Sequence, residues 1–156
     1  MIKLVRVDHR LIHGQVAFAW TKAIDTDCIL IASDDLMKDT LKMSMMKLAK
    51  PSDVKLVMKN IDDSIVALNS GVTDTYKLMI LCESISDVYK LAKSVPTITA
   101  INLGGMKNGE DRKQIAHAVN VSSQDIELLN DLCAHGVYVY AQLIPDDAEI
   151  NINKLL

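Results

Sequence analysis

The feature that most restricts the fold is an alternation of short apolar runs with amphipathic segments along nearly the whole chain. Ile2–Val5, Cys28–Ala32, Val54–Val57, Leu78–Leu81 and Ile98–Ile101 each have strand length, and several are almost apolar on both faces. Strands of that kind belong in a parallel sheet covered by helices on both sides. Helical patterns lie between them. Gly14–Ala23 follows the first run; Leu36–Ala49 is stopped by Pro51, Ile61–Leu68 by Gly71 and Val88–Ala92 by Pro96. A later helix opens on the capping-box pattern Ser122-Ser123-Gln124-Asp125 and closes at Gly136. Val137–Leu143 then alternates as a strand whose direction the sequence leaves open. No repeat, linker or low-complexity tract interrupts the pattern. The expectation is one α/β domain over residues 1–156, a three-layer α/β/α arrangement with a mostly parallel central sheet.

A chain of 156 residues with half its side chains hydrophobic can bury a substantial core. Its net charge of −3 gives no general case for nucleic acid or an anionic membrane as partner, so any anion site has to be local. No apolar run approaches the roughly 20 residues that cross a bilayer, and no signal peptide is visible. Cys28, Cys82 and Cys133 are odd in number, far apart and set in apolar surroundings. They read as core thiols of a cytoplasmic protein rather than as metal ligands or a disulfide.

In open parallel sheets, ligands bind beyond the carboxyl ends of the strands. Those ends carry Asp8 to His13, Ser33-Asp34-Asp35, Glu83-Ser84 and Asn102-Leu103-Gly104-Gly105-Met106-Lys107. The first is the densest: Arg6, Asp8, His9, Arg10 and His13 fall just before the helical run that starts at Gly14 and Gln15. An imidazole with a near-neutral pKa is a competent nucleophile, and a phosphoryl group on it would meet the free N–H groups of a helix N-terminus. His13 is therefore the candidate phosphorylated nucleophile, with Gly14 leaving its approach open; the plainer role is a helix-capping or partly buried histidine. Arg10 could clamp a phosphoryl oxygen bidentately or form a surface ion pair with Asp8 or Asp34. Asp8 could orient the imidazole or simply shape an Asx turn. Arg6 would buttress the loop, and His9 reads as solvent-exposed.

Gly104-Gly105 is too short for a dinucleotide fingerprint and no G-x-x-x-x-G-K-[ST] occurs, so no ATP loop is expected. The pair could be a tight bend, or could offer backbone amides to an anion beside Lys107. His9 and His13 have the spacing of helical zinc ligands, but they precede the helix and no third ligand is marked, so no metal or other cofactor is expected. Met37, Met43, Met45 and Met46 are assigned to the core face of a helix.

The block Arg6-Val7-Asp8-His9-Arg10-Leu11-Ile12-His13-Gly14-Gln15-Val16 closely resembles the active-site loop of the enzyme IIB component of the mannose/fructose/sorbose family of the bacterial sugar phosphotransferase system. Trp20, Ser33-Asp34-Asp35, Pro51-Ser52, Asn102-Leu103-Gly104-Gly105-Met106 and Gln114-Ile115 also match in order, so the resemblance covers essentially the full chain. His9 departs from the family at a position often acidic. The resemblance implies a cytoplasmic phosphocarrier that receives a phosphoryl group from a phosphohistidine of a IIA component. It would hand the group to a sugar entering through membrane IIC and IID components, as a protein-N(pi)-phosphohistidine–sugar phosphotransferase. It places the phosphorylated histidine, reacting through Nδ1, on His13 and the steadying arginine on Arg10. Arg6, Gly14, Gln15, Ser33, Asp34, Gly104, Gly105 and Lys107 are its candidate phosphate-binding and supporting residues. No IIA segment is seen, so IIA is expected as a separate polypeptide or domain. An exposed edge strand near the C-terminus would allow a homodimer. Two other classes share the loop: a non-catalytic anion-binding regulatory module, and a metal-dependent hydrolase built on Asp8, His9 and His13.

Overall fold

Strands and helices alternate as the apolar pattern dictates. The computed structural model describes residues 1–156 throughout. In chain order the elements are β1 (Ile2–Val7), α1 (Gly14–Ala23), β2 (Cys28–Ala32), a 3-10 turn (Leu36–Lys38), α2 (Thr40–Ala49), β3 (Lys55–Lys59), α3 (Ile61–Ser70), β4 (Leu78–Cys82) and α4 (Ile85–Ser94). They continue with β5 (Ala100–Leu103), β6 (Lys113–Ala116), β7 (Val119–Val121), α5 (Ser123–Ala134), β8 (Tyr138–Ala141), β9 (Ile150–Asn151) and a last 3-10 turn (Ile152–Lys154).

The main sheet has the order β3-β2-β4-β1-β5-β8-β9, and every pairing is parallel except β8 with β9. Its two faces are packed separately. Cys28, Leu30 and Ala32 of β2 join a 25-residue buried cluster under α3, α4 and α5, while Ile29 and Ile31 join a 12-residue cluster under α1 and α2. The three-layer, single-unit architecture follows from that alternation. The chain leaves β1 toward β2 on one side, and leaves β5 toward β8 on the other. The neighbouring carboxyl ends of β1 and β5 are thus the switch point where such sheets open a crevice.

Several boundaries differ from the sequence expectation. The fifth strand starts at Ala100 rather than Ile98, because Ile98 donates its N–H to Val95 O in a turn after α4. Asn102 and Leu103 therefore lie inside the strand. The segment from Leu36 to Ala49 is not one helix: Asp39 leaves the helical region and its carboxylate accepts the Lys42 N–H, restarting the chain as α2. Of its methionines only Met46 is buried; Met43 is half-buried, and Met37 and Met45 are exposed. An antiparallel hairpin, β6–β7, lies outside the expected pattern of strands. Val137–Leu143 resolves into β8, parallel to β5. It is not an edge: β9 lies beside it through Tyr140↔Asn151 and Ala141↔Ile150. A two-residue outer strand at one edge, and Lys55 and Lys59 bounding β3 at the other, leave no long apolar edge for pairing with a second chain.

Candidate active site

The loop from Asp8 to His13 is wound around one carboxylate. Asp8 is fully buried at the end of β1. Its Oδ1 accepts the backbone N–H of Arg10 at 3.0 Å, and its main-chain carbonyl accepts the N–H of Leu11 at 2.9 Å. The chain then passes through the left-handed region at Leu11 (φ 58), whose buried side chain secures the turn in the α1/α2 cluster. Local strain of this sort is held only where the surroundings over-determine it.

The second carboxylate oxygen faces the imidazole. His13 Nε2 lies 2.9 Å from Asp8 Oδ2. A carboxylate accepts, so Nε2 carries a proton, and in the neutral ring Nδ1 is the nitrogen that keeps its lone pair. Nδ1 has no partner in the protein, and the side chain is 19 % exposed. One side chain thus both accepts the turn's Arg10 N–H and lies against the imidazole of His13.

His13 itself is the N-cap residue of α1, in extended backbone, but its side chain makes no capping bond. α2 to α5 each have a side-chain cap at the N-terminus. α1 has neither a cap nor an acidic residue in its first turn, and it begins on Gly14 with φ +43. Its first N–H groups and the positive end of its dipole are therefore available beside the imidazole.

Arg6 sits beneath the loop, buried to 1 % exposure. It donates to Asp8 Oδ2 (3.3 Å), to the carbonyls of Gln142 (3.0 Å) and Leu143 (2.9 Å), and to Asn102 Oδ1. Its guanidinium stacks 5.1 Å from the Trp20 ring, whose Nε1 donates to Leu143 O. Burial lowers the Arg6 pKa from its ordinary value, and the carboxylate of Asp8 opposes that shift. Such a guanidinium is a cross-link between β1, β5 and the segment after β8. It fills its own bonds and has little left for a ligand.

Gly104 and Gly105 explain themselves here. A side chain on Gly104 would overlap the Arg6 guanidinium, and a Cβ on Gly105 would stand 3.0 Å from Asp8 Oδ1. The Gly104 N–H is already bonded to Val7 O. Of the two alternatives for this pair, an offer of amides to an anion is thus closed to the Gly104 N–H. Its role is to admit Arg6 and Asp8.

Arg10 projects outward with half its side chain exposed, Nε 3.9 Å from Asp8 Oδ1. His9 is not simply solvent-exposed as its sequence suggested: Nδ1 is buried without a partner, 4.0 Å from Asp8 Oδ1. Ser33 and Asp34 stand apart from this cluster. Ser33 donates to Glu83 and accepts from Leu36 N–H, while Asp34 accepts the N–H of Ile61 at the start of α3. Lys107 is exposed along a polar cleft of about 310 Å³ that His9, Lys42, Glu83 and Arg112 also line. Gln15 is exposed on α1. The loop, Arg6 and the two glycines thus converge; Ser33, Asp34, Gln15 and Lys107 do not touch them. Asn102 and Trp20 are the supports that residue chemistry missed, although a lone asparagine inside an apolar strand is a signal for a buried polar partner.

Comparison with known proteins is decisive about descent. The family model of the sorbose-subfamily IIB component of the phosphotransferase system matches residues 2–156. The chain belongs to this family. It is 32 % identical over 155 residues to the fructose-specific EIIB component of Bacillus subtilis, covering 99 % of this chain and 95 % of that one. It is 30 % identical to the mannose-specific EIIAB component of Escherichia coli, of which it spans 48 %. Among solved structures, the IIB domain of the Klebsiella pneumoniae sorbose permease superimposes with a TM-score of 0.93 at 27 % identity, covering 99 % of this chain and 94 % of that domain. The sorbose-type IIB fold is therefore shared over its whole length, and the chain is a phosphotransferase-system component acting in phosphoryl transfer to a sugar. No helix is long and apolar enough to cross a membrane.

Proposed function

We propose that His13 is the phosphoryl carrier of this IIB component and that it reacts through Nδ1. The observation that carries the proposal is the 2.9 Å contact from Asp8 to Nε2, which makes Nδ1 the unpartnered ring nitrogen and, in the neutral ring, the one with the free lone pair. In the first half-reaction the Nδ1 lone pair attacks the phosphorus of a phosphohistidine on a IIA component. The new N–P bond forms as the donor's N–P bond breaks. Arg10 and the uncapped N–H groups of α1 hold the phosphoryl oxygens, and Asp8 stabilises the imidazolium side of the ring. In the second half a sugar hydroxyl attacks the same phosphorus, Nδ1 departs with its electron pair, and the hydroxyl proton goes to a base. The relatives' names, which cite fructose, mannose, sorbose and N-acetylgalactosamine, support a sugar of that class as the acceptor. Membrane IIC and IID components would present it.

The test is labelling by a phosphorylated IIA protein, followed by mass spectrometry. Acid-labile phosphate on His13, insensitive to chelator, is expected in the wild type and absent in His13→Gln. Labelling that survives in His13→Gln would remove His13 as carrier. Chelator-sensitive hydrolysis would favour the metal enzyme, and phosphate binding without labelling the regulatory module. Arg10→Ala should slow labelling by about 10³ to 10⁵, the range typical of arginine clamps on phosphoryl groups. An unchanged rate would release Arg10 from the mechanism.

A further inference from the structure

Phosphoryl transfer through His13 accounts for the imidazole and for Asp8, but not for the charge placed beneath them. A carboxylate facing an imidazole favours the imidazolium, and an imidazolium has no lone pair on either nitrogen. An Asp–His pair alone would therefore blunt the nucleophile that it orients. The structure adds a third member. Arg6 Nη2 lies 3.3 Å from Asp8 Oδ2, the same oxygen that His13 Nε2 meets at 2.9 Å. Arg6 is 1 % exposed and Asp8 is fully buried, so water does little to screen either charge.

Neutral donors could tie β1, β5 and the segment after β8 together. A guanidinium brings in addition a charge that persists at every ordinary pH. Its other partners, Asn102 Oδ1, the carbonyls of Gln142 and Leu143 and the Trp20 ring, are all uncharged. Asp8 is the only carboxylate within 4.0 Å of it. The remaining neighbours leave this balance in place. His9 Nδ1 and the half-exposed Arg10 Nε stand 4.0 and 3.9 Å from Oδ1, the other oxygen. From β4, the buried Cys82 thiol is kept neutral by its raised pKa, and Glu83 is occupied by Ser33 and Lys42. From β8, Tyr140 stays neutral, its pKa pushed up to about 12. β5 has no ionisable residue, Lys107 beyond it is exposed, and α1 has none before Lys22.

We propose that Arg6 is a positioning residue that acts through Asp8 to keep the His13 imidazole neutral. The carboxylate charge, already matched by the guanidinium, orients Nε2–H without drawing a second proton onto the ring. The buried trio Arg6–Asp8–His13 holds no net charge while the ring is neutral, and one uncompensated positive charge once it is protonated. Taking away or cancelling the Arg6 charge makes proton uptake easier, so the imidazole should titrate at higher pH. The proposal rests on His13 as the phosphoryl carrier.

Two variants test it by different means. Arg6→Gln removes the charge; Asn102→Asp leaves Arg6 in place and cancels its charge with a second carboxylate. NMR follows the His13 ring resonances of the intact chain against pH, and labelling by phosphorylated IIA is timed over the same range. In both variants the imidazole midpoint should rise by about one unit or more above that of the wild type. Labelling relative to the wild type should be about tenfold slower on the acid side of the midpoint and recover on the alkaline side. Arg6→Lys keeps the charge, so its labelling ratio to the wild type should not change with pH. His9 also lies near Asp8, and the same shifts are expected when each comparison is repeated in His9→Gln. A midpoint that stays at the wild-type value, or a labelling deficit equal at every pH, would overturn the proposal and leave Arg6 a cross-link alone. So would a shift in Arg6→Lys as large as that in Arg6→Gln. Should one of the two test variants fail to fold, the other decides. If phosphate is found elsewhere than on His13, the carrier reading fails, while the ring titration still decides the role of Arg6.

Discussion

A single carboxylate organises the reactive loop. Asp8 accepts the Arg10 N–H on one oxygen, and His13 Nε2 and Arg6 on the other, from a fully buried position. Isosteric Asp8→Asn removes the charge and turns one acceptor into a donor. Either the Arg10 N–H, or the imidazole and the guanidinium together, must then lose an acceptor. Labelling by phosphorylated IIA should fall by about 10² to 10⁴, as when an orienting or general-acid-base group is lost. The urea midpoint should fall too, by an amount equivalent to about 3 kcal/mol or more, because Arg6 is left as a poorly compensated buried charge. Normal labelling by the variant would show that Asp8 shapes the turn and nothing else. Gly104→Ala should be damaging in a different order, destabilising the fold by about 1–3 kcal/mol as the new methyl displaces Arg6. Its refolded fraction should still label on His13, since the imidazole is not touched directly.

The helices differ at their N-termini in a way that separates structure from chemistry. α5 opens with a complete capping box, Ser122 and Asp125 each satisfying the other's backbone N–H. Ser122→Ala should therefore cost about 1 kcal/mol in a denaturant titration and leave IIA-dependent labelling unchanged. A large loss of labelling would mean that α5 is coupled to the loop. The box was legible in the sequence because capping is local chemistry, and β2 and β4 were legible because central parallel strands are apolar on both faces. What escaped had non-local causes. The split at Asp39 depends on one side chain winning the Lys42 N–H, and β5 begins late because a turn at Val95 consumes two residues of its apolar run. The exposure of Met37 and Met45 was hidden because helical periodicity shows that a face is apolar, not which face is covered. Within the site, His13, Asp8 and Arg10 could be picked out by residue type and spacing. The burial of Arg6, and with it the reason for Gly104 and Asn102, exists only once β1 and β5 are neighbours.

At the scale of the whole molecule, the sheet's switch point sets where chemistry is possible, and Arg6 locks that point by tying β1, β5 and the segment after β8 into one edge. The same face of the sheet sets an alkaline limit on stability. Tyr140 stands beside Asn102 in β8, stacked on Tyr138 with ring centroids 5.1 Å apart. Burial, then the nearby Glu149, pushes its pKa from 10.0 up to about 12. The sign follows from proton binding. Between those values the unfolded chain has lost the phenolic proton while the folded chain keeps it, so rising pH favours unfolding. Stability contributed by the neutral phenol is complete below pH 10 and drains away toward pH 12. One pKa unit corresponds to about 1.36 kcal/mol, and partial solvation of the phenol reduces the effect, so about 1–2 kcal/mol is expected over this window. Buried Cys82, whose pKa is likewise raised by burial, adds a fall of the same sign that starts near pH 9. Urea midpoints measured across the alkaline range should therefore decline in the wild type and decline less steeply in Tyr140→Phe, the difference opening only above pH 10. Parallel curves for the two proteins would mean that the phenol ionises as freely in the fold as in the open chain.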